Sequence, residues 1–102
     1  MPASALLSSP RDGSIVHSPP LFRWRAIRKA SFYNVQLYLG GRKVLSRWPS
    51  TARLRLGRTW AYEGQDLRLG KGTYHWYVWP GFGPRLKGRY GQLLGESTFR
   101  VG

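Results

Sequence analysis

Leu69-Gly70-Lys71-Gly72-Thr73-Tyr74-His75-Trp76-Tyr77-Val78-Trp79-Pro80 is the stretch that decides the fold. A glycine-rich turn feeds a run made almost wholly of β-branched and aromatic residues, and a proline follows. The pattern predicts a strand over 67–79 that Pro80 stops. Period-two alternation places Tyr74, Trp76 and Val78 on one face and His75, Tyr77 and Trp79 on the other. The first set is expected to face the core. The second set puts large aromatic rings and one imidazole on the side expected to be wet.

The same alternation extends in both directions along the chain. Residues 4–9 read as a short edge strand, stopped at Pro10-Arg11-Asp12-Gly13, and Ile15-Val16 as a brief second edge segment before Pro19-Pro20. Residues 21–27 put Phe22, Trp24 and Ala26 inward and Arg23 and Arg25 outward. In 32–38, Tyr33, Val35 and Leu37 share one face, with Asn34, Gln36 and Tyr38 on the other. Gly40-Gly41 turns that strand into a partner over 42–48, which Pro49 ends. Leu54 and Leu56 point inward from 52–56, and Arg53 and Arg55 outward. Residues 57–66 read as a polar connection holding Trp60 and Tyr62. A long Gly/Pro-rich loop over 80–95 precedes a last strand that turns Phe99 and Val101 inward. Helical periodicity nowhere outlasts one turn.

Seven short strands separated by turn signals predict an all-β domain spanning residues 1–102, a seven-stranded antiparallel β-sandwich. A small basic barrel of the OB or SH3-like type is the alternative. The chain has 17 Lys and Arg against 4 Asp and Glu, a net charge of +13, and 13 of the cations are Arg. Arginine suits planar, bidentate or stacked contacts to phosphates, carboxylates and sulfates, and such a field draws in polyanions. With no cysteine, neither a disulfide framework nor a cysteine-based zinc site can form.

Catalytic chemistry has little to draw on. The acids Asp12, Glu63, Asp66 and Glu96 form no pair spaced for general acid–base work, and His17 and His75 alone do not make a metal site. Gly81-x-Gly83 lacks the strand–turn–helix setting of a phosphate fingerprint. The expectation is a non-catalytic protein without metal or cofactor. No apolar run is long enough to span a bilayer, and residues 1–7 lack the basic and apolar regions of a signal peptide. Either cytoplasmic work or a place within a larger exported protein fits these features.

Four motifs in order carry a resemblance. Pro19 and Pro20 precede Trp24; Tyr33-x-Val35-x-Leu37 follows; then come Leu69-x-x-Gly72-Thr73-Tyr74-x-Trp76-x-Val78 and Phe99-x-Val101. Over residues 4–101 the chain resembles a bacterial-style fibronectin type III domain, an immunoglobulin-like sandwich. The resemblance departs at Gly70, where the family usually has proline, and in the length of the 80–95 loop. It implies that Trp24 is the central core aromatic. It also implies that Tyr74 is a corner tyrosine, its ring inward and its hydroxyl bonded to backbone near the turn.

Family topology would put 4–9, 21–27 and 52–56 in one sheet, gathering Arg23, Arg25, Arg53 and Arg55 on its outer face. With the loop cations Arg85, Lys87 and Arg89 they are the candidate polyanion-binding residues. The other sheet would show Tyr38, His75, Tyr77 and Trp79 beside Asn34 and Gln36, the candidate partner-binding residues. A partner, the 80–95 loop, or nothing can cover that row. The resemblance implies an adhesion or interaction module of a larger surface or secreted protein, binding a protein, its own copies or an acidic polymer. A basic nucleic-acid-binding β domain and a structural spacer are the other readings.

Overall fold

Alternation and proline placement produce ten strands in the computed structural model, which describes residues 6–102. They are β1 (Leu7–Ser9), β2 (Ser14–Val16), β3 (Leu21–Trp24), β4 (Phe32–Leu39), β5 (Arg42–Arg47), β6 (Arg53–Arg55), β7 (Thr59–Tyr62), β8 (Gln65–Arg68), β9 (Gly72–Gly81) and β10 (Gly95–Val101). Three form a sheet in the order β1-β3-β6, and five form a second in the order β2-β10-β9-β4-β5. Strands β7 and β8 make a separate hairpin. All neighbours are antiparallel except β2, which runs parallel to β10. The fold is all-β and sandwich-like.

The inward faces of the two larger sheets meet through aromatic rings. Phe22 of β3 packs edge to face on Trp76 of β9 at 4.8 Å and on Phe99 of β10 at 5.8 Å. Trp24 meets Tyr33 of β4 at 5.3 Å, and Tyr74 stacks on Phe99 at 5.3 Å. Val35, Leu37, Leu45, Val78 and Ser97 are fully buried beside Trp76, Tyr74, Phe22 and Phe99. Offset and edge-on aromatic pairs add about 0.5–1.5 kcal/mol each beyond their buried area. The Tyr74 hydroxyl donates to the Gly70 carbonyl at 2.9 Å while its ring is 1% exposed.

Several expectations need correction. Residues 57–66 are not a plain connection: Thr59–Tyr62 and Gln65–Arg68 pair across a tight turn in which Glu63 and Gly64 both take positive φ (51° and 77°). That is the backbone a twisted two-residue hairpin needs. Trp60 anchors the hairpin, buried and donating its indole N–H to the Val44 carbonyl at 2.7 Å. Leu67 therefore pairs with Trp60 in β8, and β9 begins at Gly72 rather than at 67. At its other end β9 runs through Pro80 to Gly81. Pro80 sits opposite Tyr33, whose N–H goes instead to the Pro49 carbonyl at 2.9 Å, so β4 makes no use of the donor that proline lacks.

Strand β3 ends at Trp24, which leaves Ala26 exposed instead of inward and Arg25 just past the strand. Ser4 and Ala5 of the expected first strand lie outside the described residues. The 80–95 loop is partly ordered by hydrogen bonds. Gly91 N–H donates to Pro80 O at 2.9 Å, Phe82 N–H to Arg89 O at 2.8 Å, and a 3-10 turn covers Arg85–Lys87.

Trp24→Ala is expected to cost about 3–5 kcal/mol through the cavity it leaves. Tyr74→Phe should cost about 1–3 kcal/mol through one lost bond, leaving the Gly70 carbonyl without its hydroxyl donor. Denaturant melts check both, and equal, negligible losses would count against this core. A second test concerns Asp12, whose Oδ1 accepts from Thr98 N–H at 2.9 Å and from the Ser97 and Thr98 hydroxyls at 3.3 Å each. The Thr98 backbone bond, partly opposed by burial, holds its carboxyl below the ordinary value of 3.8. The group's stabilising contribution is therefore present above its unfolded pKa and disappears as pH falls through the lower folded pKa. Asp12→Asn should flatten that acid limb; an unchanged difference between variant and wild type across it would contradict the tether.

A candidate contact surface on the five-stranded sheet

The outer face of the five-stranded sheet is built by four strands in register. Strand β9 contributes His75, Tyr77 and Trp79, and β4 contributes Tyr38, Gln36 and Asn34 directly opposite them. On the far side β10 sets Thr98 opposite His75 and Glu96 opposite Tyr77. Beyond β4, Ser46 of β5 faces Gln36, and a shift of register after Leu37 brings Lys43 opposite Tyr38.

The rings form a continuous row. Tyr38 meets Tyr77 edge to face at 5.4 Å, and Tyr77 stacks on Trp79 at 6.1 Å. Beside the row runs a chain of side-chain hydrogen bonds. The Tyr38 hydroxyl donates to Gln36 Oε1 at 2.9 Å, and Gln36 Nε2 donates to Asn34 Oδ1 at 2.7 Å. Asn34 Nδ2 donates in turn to Ser46 Oγ at 3.0 Å and to the Arg47 carbonyl at 3.1 Å. Polar groups linked in this way hold one another in place, so the floor is pre-organised. Burial, and then the neighbouring Glu96 carboxylate and Tyr38, push the Tyr77 phenol above its usual pKa, which keeps it neutral.

The loop closes one end of this face. Tyr90 bridges to Gly81, meets Phe32 edge to face at 5.6 Å and accepts a hydrogen bond from the Trp48 indole N–H at 3.0 Å. A side chain at position 81 would collide with the Phe32 ring, so glycine there admits Phe32 beneath Tyr90. The Arg85 guanidinium lies over the Trp48 ring, 4.3 Å from its centroid. Asn34, Gln36, Trp79 and Tyr90 line an open groove of about 270 Å³.

All four expected partner-binding residues, Tyr38, His75, Tyr77 and Trp79, share this one face and are half-buried. Of the three possible covers, the loop supplies only an end wall, through Tyr90. The polyanion set is divided. Arg23, Arg25, Arg53 and Arg55 are exposed on or beside the three-stranded sheet, with Arg23 directly opposite Arg53. Arg85, Lys87 and Arg89 are exposed on the loop beside the aromatic face. Sequence reasoning did not assign Phe32, Lys43, Trp48 or Tyr90 to the site. Extending the alternation of β4 by one step reaches Phe32; Tyr90 belongs to the 80–95 loop that the sequence offers as one cover for this face, but where it docks depends on Phe32 and Trp48, distant in sequence.

A second groove, about 410 Å³, is lined by Arg42, Lys43, Tyr62, Glu63 and Gln65, where β5 approaches the β7–β8 turn. It mixes charges of both signs and lacks the row of rings. Compared with known proteins, the chain matches no family model, no curated protein and no solved structure.

Proposed function

We propose that this chain is a non-catalytic interaction module of fibronectin type III kind that meets a macromolecular partner through the outer face of its five-stranded sheet. The assignment to that family is supported by the sorting of β1, β3 and β6 into one sheet and β5, β4, β9 and β10 into the other, and by the Tyr74–Gly70 bond. The observation that carries the function is the ring row Tyr38–Tyr77–Trp79, half-buried beside a hydrogen-bonded amide chain. A contiguous aromatic surface of this kind marks a contact site, and central aromatics can each carry about 2 kcal/mol or more of binding.

Tyr77→Ala with Trp79→Ala should leave a folded domain that no longer retains the macromolecules a wild-type affinity column takes from cell extract. A folded double variant that retains the same material as wild type would contradict the proposal.

The arginine pair on the opposite sheet favours a second, independent activity, the binding of polyanions. Strands β1, β3 and β6 contain no Asp or Glu, and Arg23 faces Arg53 across the ladder. Directly opposed like charges are destabilising by some tenths to about 1 kcal/mol, which an anionic partner would offset. Arg53→Glu should therefore raise the melting temperature and at the same time weaken heparin binding and flatten its salt dependence. A variant that gains stability with unchanged heparin affinity would separate this charge pair from binding.

A further inference from the structure

We infer that the groove between Trp79 and Tyr90 accepts a nucleobase, and that the ring row beside it is a platform for single-stranded nucleic acid. This inference rests on reading the outer face of the five-stranded sheet as the contact surface, and it names the partner.

The groove has the chemistry of a base site. Two aromatic side chains, Trp79 and Tyr90, bound a volume of about 270 Å³ that also reaches the amides of Asn34 and Gln36. A planar heterocycle offers rings a face to stack on and offers amides an edge with donors and acceptors. Asn34 uses its nitrogen on Ser46 and Arg47. Gln36 Nε2 donates to Asn34 alone among the described residues, and an amide nitrogen carries two N–H groups. One donor, held in place by the network, is therefore left for the edge of a base.

The row continues past the groove. Tyr77 lies 6.1 Å from Trp79, and Tyr38 lies 5.4 Å from Tyr77, so successive rings are presented along one line of the sheet. Such a line suits a strand whose bases are splayed out. A duplex stacks its bases on one another and hides the faces these rings would need.

Charge selects among the polymers that could lie there. Lys43 sits over Tyr38, with its Nζ 5.9 Å from the ring centroid, and Arg85 sits over Trp48 beside Tyr90. Cations thus stand beside both ends of the row, and Lys87 and Arg89 are exposed on the same loop as Arg85. Glu96 is the one acid among the facing residues of β4, β5, β9 and β10 in the register described above. Aromatic rings between cations, on a chain of net charge +13, are complementary to a backbone of phosphates carrying bases.

The test compares two fluorescently labelled single strands of about 12 nucleotides, within the range one small β domain covers. One is oligothymidine and the other an abasic strand of equal length and charge. Wild-type protein should bind oligothymidine about tenfold or more tighter at one fixed salt concentration, since stacking adds to a phosphate term that both strands share. Trp79→Ala should close most of that gap without changing affinity for the abasic strand or the melting temperature. Equal wild-type affinities for the two strands would overturn the inference, and because that comparison uses no variant, it does not depend on how Trp79→Ala folds. Heparin binding that is as tight and equally weakened by Trp79→Ala would overturn it in favour of an anionic polysaccharide. If the two strands bind alike while Tyr77→Ala with Trp79→Ala still strips extract material from the column, the face remains a contact surface and nucleic acid is not its ligand.

Discussion

Phe22 on one sheet meets Trp76 on the other edge to face at 4.8 Å, and this contact fixes which side of β9 is inside. Strand β9 has neighbours on both sides, β10 and β4, so its orientation is passed through hydrogen-bond register to both. Burying Trp76 commits Tyr74 and Val78 to the core and turns His75, Tyr77 and Trp79 outward. Through the β4 ladder the same commitment places Asn34 beside Trp79 and Gln36 beside Tyr77. A slip of one residue would exchange the two sets, expose the core tryptophan and bury an imidazole in its place. The large energy of burying Trp76, Tyr74 and Phe99 is what holds the outer row in register.

The outer face combines two properties that oppose one another in an isolated domain. Its rings are apolar surface left half-exposed, and the chain around them is strongly cationic. Exposed aromatic surface favours association, whereas a high net charge keeps copies of the same chain apart. A partner of opposite charge that presents flat faces satisfies both. The Arg23–Arg53 pair follows the same logic on the other sheet: it is a local cost in the free domain that a bound anion would offset.

Much of this was legible in the sequence because period-two alternation is a local signal. The runs 32–38 and 73–79 put each ring and amide on its correct face, while a backbone partner for Tyr74 near the turn came only as what the family resemblance implies. What was not legible depends on contacts distant in sequence. The β7–β8 hairpin is too short for its alternation to stand out, and its identity rests on Trp60 reaching the Val44 carbonyl. Pro80 reads locally as a stop, yet the strand continues because Tyr33 directs its N–H elsewhere. Tyr90 joins the site through a loop closure in which it meets Phe32 and Trp48, residues 58 and 42 positions away. Alternation extended past Trp24 would turn Ala26 inward, but the chain leaves the ladder there and Ala26 is exposed.

The outer face is already organised in the free protein by the chain from Tyr38 through Gln36 and Asn34 to Ser46. Side-chain amide NMR of the unliganded domain tests this organisation most directly. The Asn34 NH₂ protons should exchange slowly with solvent and show cross-relaxation to Ser46 and Arg47, matching bonds of 3.0 and 3.1 Å. Asn34 and Gln36 amides that exchange at the rate of free side chains and show no such contacts would contradict a pre-organised contact surface.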